Sequence, residues 1–162
     1  MKNFLTYLTL IILLVLQSTV CRGIEVLHTI PNLVLIFVVC YSMYAEPVKA
    51  TVLALVSGIV FDLMQAQYLG FGALLMMFLG LSLAVVSSDY IRSNVLTVLV
   101  GVALSTFLFE GVYSFLLYFI FDKMSASHML TAIGTEAAYN TVIAVALMWW
   151  AKYLAEYEVR SF

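Results

Sequence analysis

The sequence predicts an all-α integral membrane protein, a single polytopic domain over residues 1–162 arranged as a six-transmembrane-helix bundle. Three observations predict it. The chain is 65% hydrophobic and only 10% charged, with a mean hydropathy of +1.11, whereas soluble proteins carry about 25% charged residues. Its apolar residues fall into six runs separated by short polar connectors. Aromatic residues make up 14% of the chain, and many sit near the ends of those runs, where Tyr and Trp anchor spans at the membrane–water interface. A net charge of -2 leaves no basic footprint for nucleic acid.

The runs, in order, cover residues 4–20, 30–45, 50–64, 72–87, 95–121 and 129–154. A spanning helix needs roughly 17–25 mainly apolar residues. The first run follows Lys2 like a signal peptide. However, Gln17-Ser18-Thr19-Val20-Cys21 lacks small residues at cleavage offsets, and Val20 does not suit a lipoprotein site, so it reads as a retained span. Pro31 suits the first turn of the second helix, where no N–H partner is needed. Glu46-Pro47 ends that helix, because the residue before proline avoids α geometry. The third and fourth runs are short, which predicts tilt, local thinning or partial re-entrance in one of them. A four- or five-helix count is the alternative. Ser93 or Asn94 caps the fifth helix. Cys21 and Cys40 form no disulfide framework and read as small apolar fillers.

Orientation follows from Lys and Arg in the short loops. With the N-terminus in the cytoplasm, Lys2, Lys49, Arg92, Lys152 and Arg160 fall inside, and Arg22 and Lys123 outside. Five against two predicts that both termini are cytoplasmic.

The informative residues are carboxylates within apolar helices: Asp62 in the third, Glu110 in the fifth and Glu136 in the sixth. A charge at the bilayer centre costs at least ~2.5 kcal/mol on insertion scales. No Lys or Arg lies well inside a span to pair with them, so each must be neutral, hydrogen-bonded or facing a wet cavity. Residues four apart share a helix face. The resulting ridges are Ala50-Ala54-Gly58-Asp62, Thr106-Glu110-Ser114-Tyr118 and Ala132-Glu136-Asn140-Ala144, with Gly72-Met76-Gly80-Ala84 on the fourth helix. Small residues let backbones approach and polar groups bond across, which predicts packing contacts at Ala54, Gly58 and Gly80. At about 1.5 Å per residue, Asp62, Glu110, Glu136 and Asn140 all fall in the outer half of the membrane. That spacing fits one outward polar pocket. The plainer reading is that Asp62 caps or snorkels and that Glu110 makes a structural hydrogen bond to a neighbouring helix.

Nothing in the sequence points to catalysis. No HExxH, GxSxG, P-loop or CxxC pattern occurs. His28 and His128 read as loop residues rather than metal ligands, and no cofactor is expected.

Pro31-Asn32-Leu33, Gly58-Ile59-Val60-Phe61-Asp62-Leu63, Leu69-Gly70, Glu110-Gly111-Val112-Tyr113 and Tyr139-Asn140 together resemble the signature of the rod shape-determining membrane protein MreD family. The resemblance covers most of the chain. The connector Glu46-Pro47-Val48-Lys49 is less basic than in relatives of that kind. The resemblance implies a non-enzymatic subunit of the bacterial cell-elongation complex in the inner membrane. It implies MreC as partner, and through MreC a link from the MreB filament to RodA and its class B transpeptidase. The implied fold is similar to the substrate-binding subunits of energy-coupling-factor vitamin transporters. Such a transport subunit is the alternative function. Against it, the ridge Leu5-Thr9-Leu13 on the first helix lacks the small residues expected to meet a coupling subunit. A lipid-directed membrane enzyme is the third reading, and only scattered acids support it.

Overall fold

The computed structural model describes residues 2–19, 23, 29–65, 70–87, 94–121 and 126–159. Among them the chain forms six helices: α1 (Lys2–Thr19), α2 (Leu33–Tyr44), α3 (Pro47–Gln65), α4 (Phe71–Val86), α5 (Val95–Phe121) and α6 (Ala126–Val159). These fall on the six apolar runs. Most of the connectors lie outside the described residues. With them go Leu69, Ser93 and four cations of the orientation count, Arg22, Arg92, Lys123 and Arg160.

Among the described residues three helices are long and apolar enough to cross a membrane: Pro47–Met64, Val95–Leu116 and Leu130–Glu156. Three apolar helices are shorter, Phe4–Thr19, Leu33–Tyr44 and Phe71–Val86. The expectation of a short third run is thereby corrected, since α3 has 19 residues; α4 is short as expected, with 16, but the shortest helix is α2, with 12. The reason lies at its start. Asn32, not Pro31, sets the boundary, because its side chain accepts from Leu35 N–H at 3.1 Å and caps the helix. Pro31 therefore precedes α2 instead of sitting in its first turn. At the other end Ala45 closes α2, and Pro47 opens α3, where its missing N–H costs nothing. Asn94 opens α5 as expected, its side chain accepting from Leu96 N–H at 3.0 Å. His128 lies in the first turn of α6 and not in a loop.

α2 is the axis of the bundle. All twelve of its residues are buried, and it packs against each of the other five helices. A helix apolar all round belongs in such a position. α3 and α4 form the tightest pair, and α5 pairs with α6. α1 leans on α2 and α6. The predicted ridges make the α3–α4 seam. Ala50, Ala54, Gly58 and Asp62 are buried, as are Gly72, Met76, Gly80 and Ala84. A Cβ on Gly58 would meet the backbone of Ala73 and of Gly72, and one on Gly80 would meet Ala54 Cβ at 2.6 Å. Ala54, Gly58 and Gly80 are thus contact residues, as the spacing predicts.

The outer surface is apolar. Phe78, Val85, Leu96, Leu104 and Trp149 are each more than half exposed, a skin that suits lipid and not water. At one end of the bundle polar and aromatic groups form a girdle. Lys152 Nζ lies 5.5 Å from the Tyr44 ring centre and 3.7 Å from Glu156. Trp150 stacks on Tyr153 and donates its indole N–H to Thr9 Oγ1 at 3.2 Å. Such a grouping suits the amphipathic belt of a membrane interface.

Candidate functional site

Several polar residues of the spans gather around the start of α2, at the end of the bundle away from that girdle. The first turn of any helix leaves its N–H groups without intrahelical partners. Here three side chains supply acceptors. Asn32 N–H donates to Asn140 Oδ1 of α6 at 2.9 Å. Val34 N–H donates to Gln17 Oε1 of α1 at 3.1 Å. Leu35 N–H donates to Asn32 itself. Asn140 is fully buried, and its amide donates to Thr106 Oγ1 of α5 at 3.2 Å. One amide thereby ties α2, α5 and α6 together.

A cavity of about 230 Å³ opens beside this junction. Glu110 and Glu136 line it, with Tyr113, Phe61, Gln17 and Asn32 among the wall residues. The two carboxyls are neighbours on this wall and close enough to influence each other, with Glu136 also near Asn140. Two such carboxyls can bond to each other only when one of them holds a proton. Phe109 anchors the aromatic wall. It stacks on Tyr113 with ring centres 6.0 Å apart and meets Phe61 edge-on at 5.8 Å. The described lining contains no Lys, Arg or His.

Of the four residues predicted to share a pocket, the structure brings Glu110 and Glu136 to the cavity wall. Asn140 sits behind them, spent on α2 and α5. Asp62 is elsewhere. Its carboxylate accepts from Gly70 N–H at 2.8 Å, Gly72 N–H at 3.0 Å and Ala73 N–H at 3.0 Å. It therefore closes the start of α4, where the helix dipole also favours a negative charge. The correction has a local cause. Gly70 adopts a left-handed φ of 98°, which turns the chain back so that these N–H groups converge on α3. Asp62 is 1% exposed, and three of its roughly four acceptor positions are taken by the start of α4.

Gln17 is a site residue that the sequence reasoning did not single out, and Asn32, Phe61 and Tyr113 stand within the resemblance motifs with no site role assigned to them. Gln17 carries a usable signal, a long amide inside an apolar run, the same anomaly that marks the acids. Phe61 and Tyr113 carry only their place in the resemblance motifs, since aromatic residues are abundant throughout this chain. Among the described residues no group of His, Cys, Asp and Glu is arranged to hold a metal.

No curated protein matches the chain, and no solved structure does. The family model described as rod shape-determining protein MreD matches residues 1–157. That match contains every residue of the α2 junction, the cavity and the α3–α4 seam. A membrane bundle with this signature running through nearly its whole length belongs to the rod shape-determining protein MreD family.

Proposed function

We propose that this chain is a non-enzymatic inner-membrane subunit of the bacterial cell-elongation complex. It binds MreC and through MreC couples the MreB filament to peptidoglycan synthesis by RodA and a class B transpeptidase. Family membership over residues 1–157 is the observation that carries this reading. The outward apolar surface supports a subunit that works among lipids and other membrane helices.

In this proposal the six helices make six crossings, both termini lie in the cytoplasm, and the architecture is that of an energy-coupling-factor substrate-binding subunit. The antiparallel succession supports it. The end of α1 at Gln17, the start of α2 and the end of α3 at Phe61 meet at one cavity. Thr6 of α1, Tyr41 of α2 and Lys49 of α3 meet at the opposite end. Twelve residues of α2 span about 18 Å, short of a ~30 Å hydrocarbon core. The four non-helical residues Thr29 to Asn32 add at most about 13 Å and complete the crossing. Irregular backbone at that depth is tolerated where protein groups satisfy it, as Asn140 does for Asn32 N–H.

The test is depletion of the protein in a rod-shaped host, with membrane pull-down of the tagged chain. Round, wide cells and recovery of MreC are expected. Normal rods with impaired uptake of one vitamin would favour the transport reading instead.

A further inference from the structure

We propose that the cavity beside the α2 junction is a binding site for a primary ammonium group, presented by an aminophospholipid that enters between α1 and α3.

The wall chemistry selects the charge. The cavity has room for a polar headgroup, at about 230 Å³, where one water needs only about 10–15 Å³ on such a measure. The N–H groups at the start of α2 would otherwise attract an anion, but Asn140, Gln17 and Asn32 already occupy them. What stays open on the wall is acceptor-rich: Glu110 and Glu136, which carry one negative charge when they share one proton. No cationic side chain is among the described lining residues to neutralise it. A monovalent N–H donor matches both features, and an anion matches neither.

The packing selects the route. α1 packs on α2 and α6 and has no comparable seam with α3. Both cavities have α1 and α3 among their walls, the first closed also by the start of α2 and by α5 and α6, and the second also by Tyr41 of α2. The ammonium cavity has Leu14 and Ser18 of α1 facing Met64 of α3. The second, about 170 Å³, has Thr6 and Tyr7 of α1 facing Val48 and Val52 of α3. A lipid can therefore place its headgroup amine against Glu110 and Glu136 while its acyl chains leave sideways along the α1–α3 seam. A soluble amine would meet the same carboxyls from the aqueous end.

The experiment uses the full chain in nanodiscs of phosphatidylcholine containing a minority of phosphatidylethanolamine and phosphatidylglycerol. Release into the gas phase then reports which lipids stay bound. Phosphatidylethanolamine should be enriched about tenfold over its share of the bilayer, the effect of one charge-assisted hydrogen bond. The doubly substituted E110Q/E136Q protein should lose the enrichment while eluting as the same monodisperse particle. Added ethanolamine should compete, and choline, which lacks N–H donors on its nitrogen, should not. Stabilisation by ethanolamine without lipid enrichment would assign the same ammonium site to a soluble amine. Equal retention of phosphatidylcholine, or unchanged enrichment in the folded double variant, would overturn the proposal. If the double variant does not fold, the ethanolamine–choline comparison on the unmodified chain decides it by itself.

Discussion

Asp62→Ala is the sharpest test of how this bundle holds together. The carboxylate accepts three backbone N–H groups at 2.8 Å to 3.0 Å. Gly70 is exposed, so its N–H finds water once the side chain is gone. Gly72 and Ala73 are buried against α3, and their N–H groups have no such recourse. Each buried donor left unpaired costs about 1–3 kcal/mol, which sets the loss at about 2–6 kcal/mol. That is a large part of the ~5–15 kcal/mol that holds a typical domain folded. Asp62→Asn keeps one acceptor oxygen but turns an amide N–H towards a backbone donor, and should cost about half as much. The assay is equilibrium unfolding in mixed micelles of rising denaturing-detergent fraction, followed by tryptophan fluorescence from Trp149 and Trp150. The order Ala worse than Asn worse than wild type is expected. A loss under about 0.5 kcal/mol for Asp62→Ala, the level of an ordinary surface change, would refute the capping role. Normal stability with lost function would instead return Asp62 to a ligand site.

Gly58→Leu should break the α3–α4 seam, because even a Cβ there meets the backbone of Ala73 and Gly72. Ile59→Leu, at a position 45% exposed, should be neutral; folded yield after detergent extraction separates the two, and equal mild effects would place Gly58 against lipid. Asn140→Leu removes the partners of Asn32 N–H and Thr106 and should cost about 2–4 kcal/mol. Asn140→Asp keeps the acceptor for Asn32 and should cost less, and the same unfolding titration reads both. Glu110→Gln retains shape and hydrogen-bonding capacity beside Glu136, so membrane levels measured by blot should match wild type. Glu110→Leu should lower them, and equal levels for both would show that no neighbour depends on that side chain. A reporter active only in the cytoplasm, fused after Phe162, should be active, and one active only outside should be active at Lys123. An inactive C-terminal cytoplasmic fusion would overturn the six-crossing arrangement.

Much of the architecture was legible because it is local. An apolar run bounded by Pro, Asn or a charged connector forms a helix in lipid whatever surrounds it, since the backbone has no other way to satisfy its polar groups. The four-residue spacing of Ala50, Ala54 and Gly58, and of Gly80 and Ala84, was legible for a similar reason. A helix turns by a fixed angle, so small residues at that interval must share a face. The carboxyls stood out because lipid makes them expensive.

The sequence by itself determined the class, the six helices, the contact ridges, and which polar residues require an explanation. Only the tertiary structure decided what each of those residues does. Asp62 and Glu110 carry the same anomaly in sequence. One is spent on a helix start brought to it by the left-handed turn at Gly70. The other meets Glu136 across a cavity, a contact between residues of different helices. The central place of α2 was likewise hidden, because a helix apolar on every side looks the same whether lipid or protein surrounds it. Its short length was hidden too, since Ile30 and Pro31 continue the apolar run past the point where Asn32 caps the helix. Hydropathy records what a residue avoids; which neighbour it finds depends on chain segments as far apart as Asn32 and Asn140.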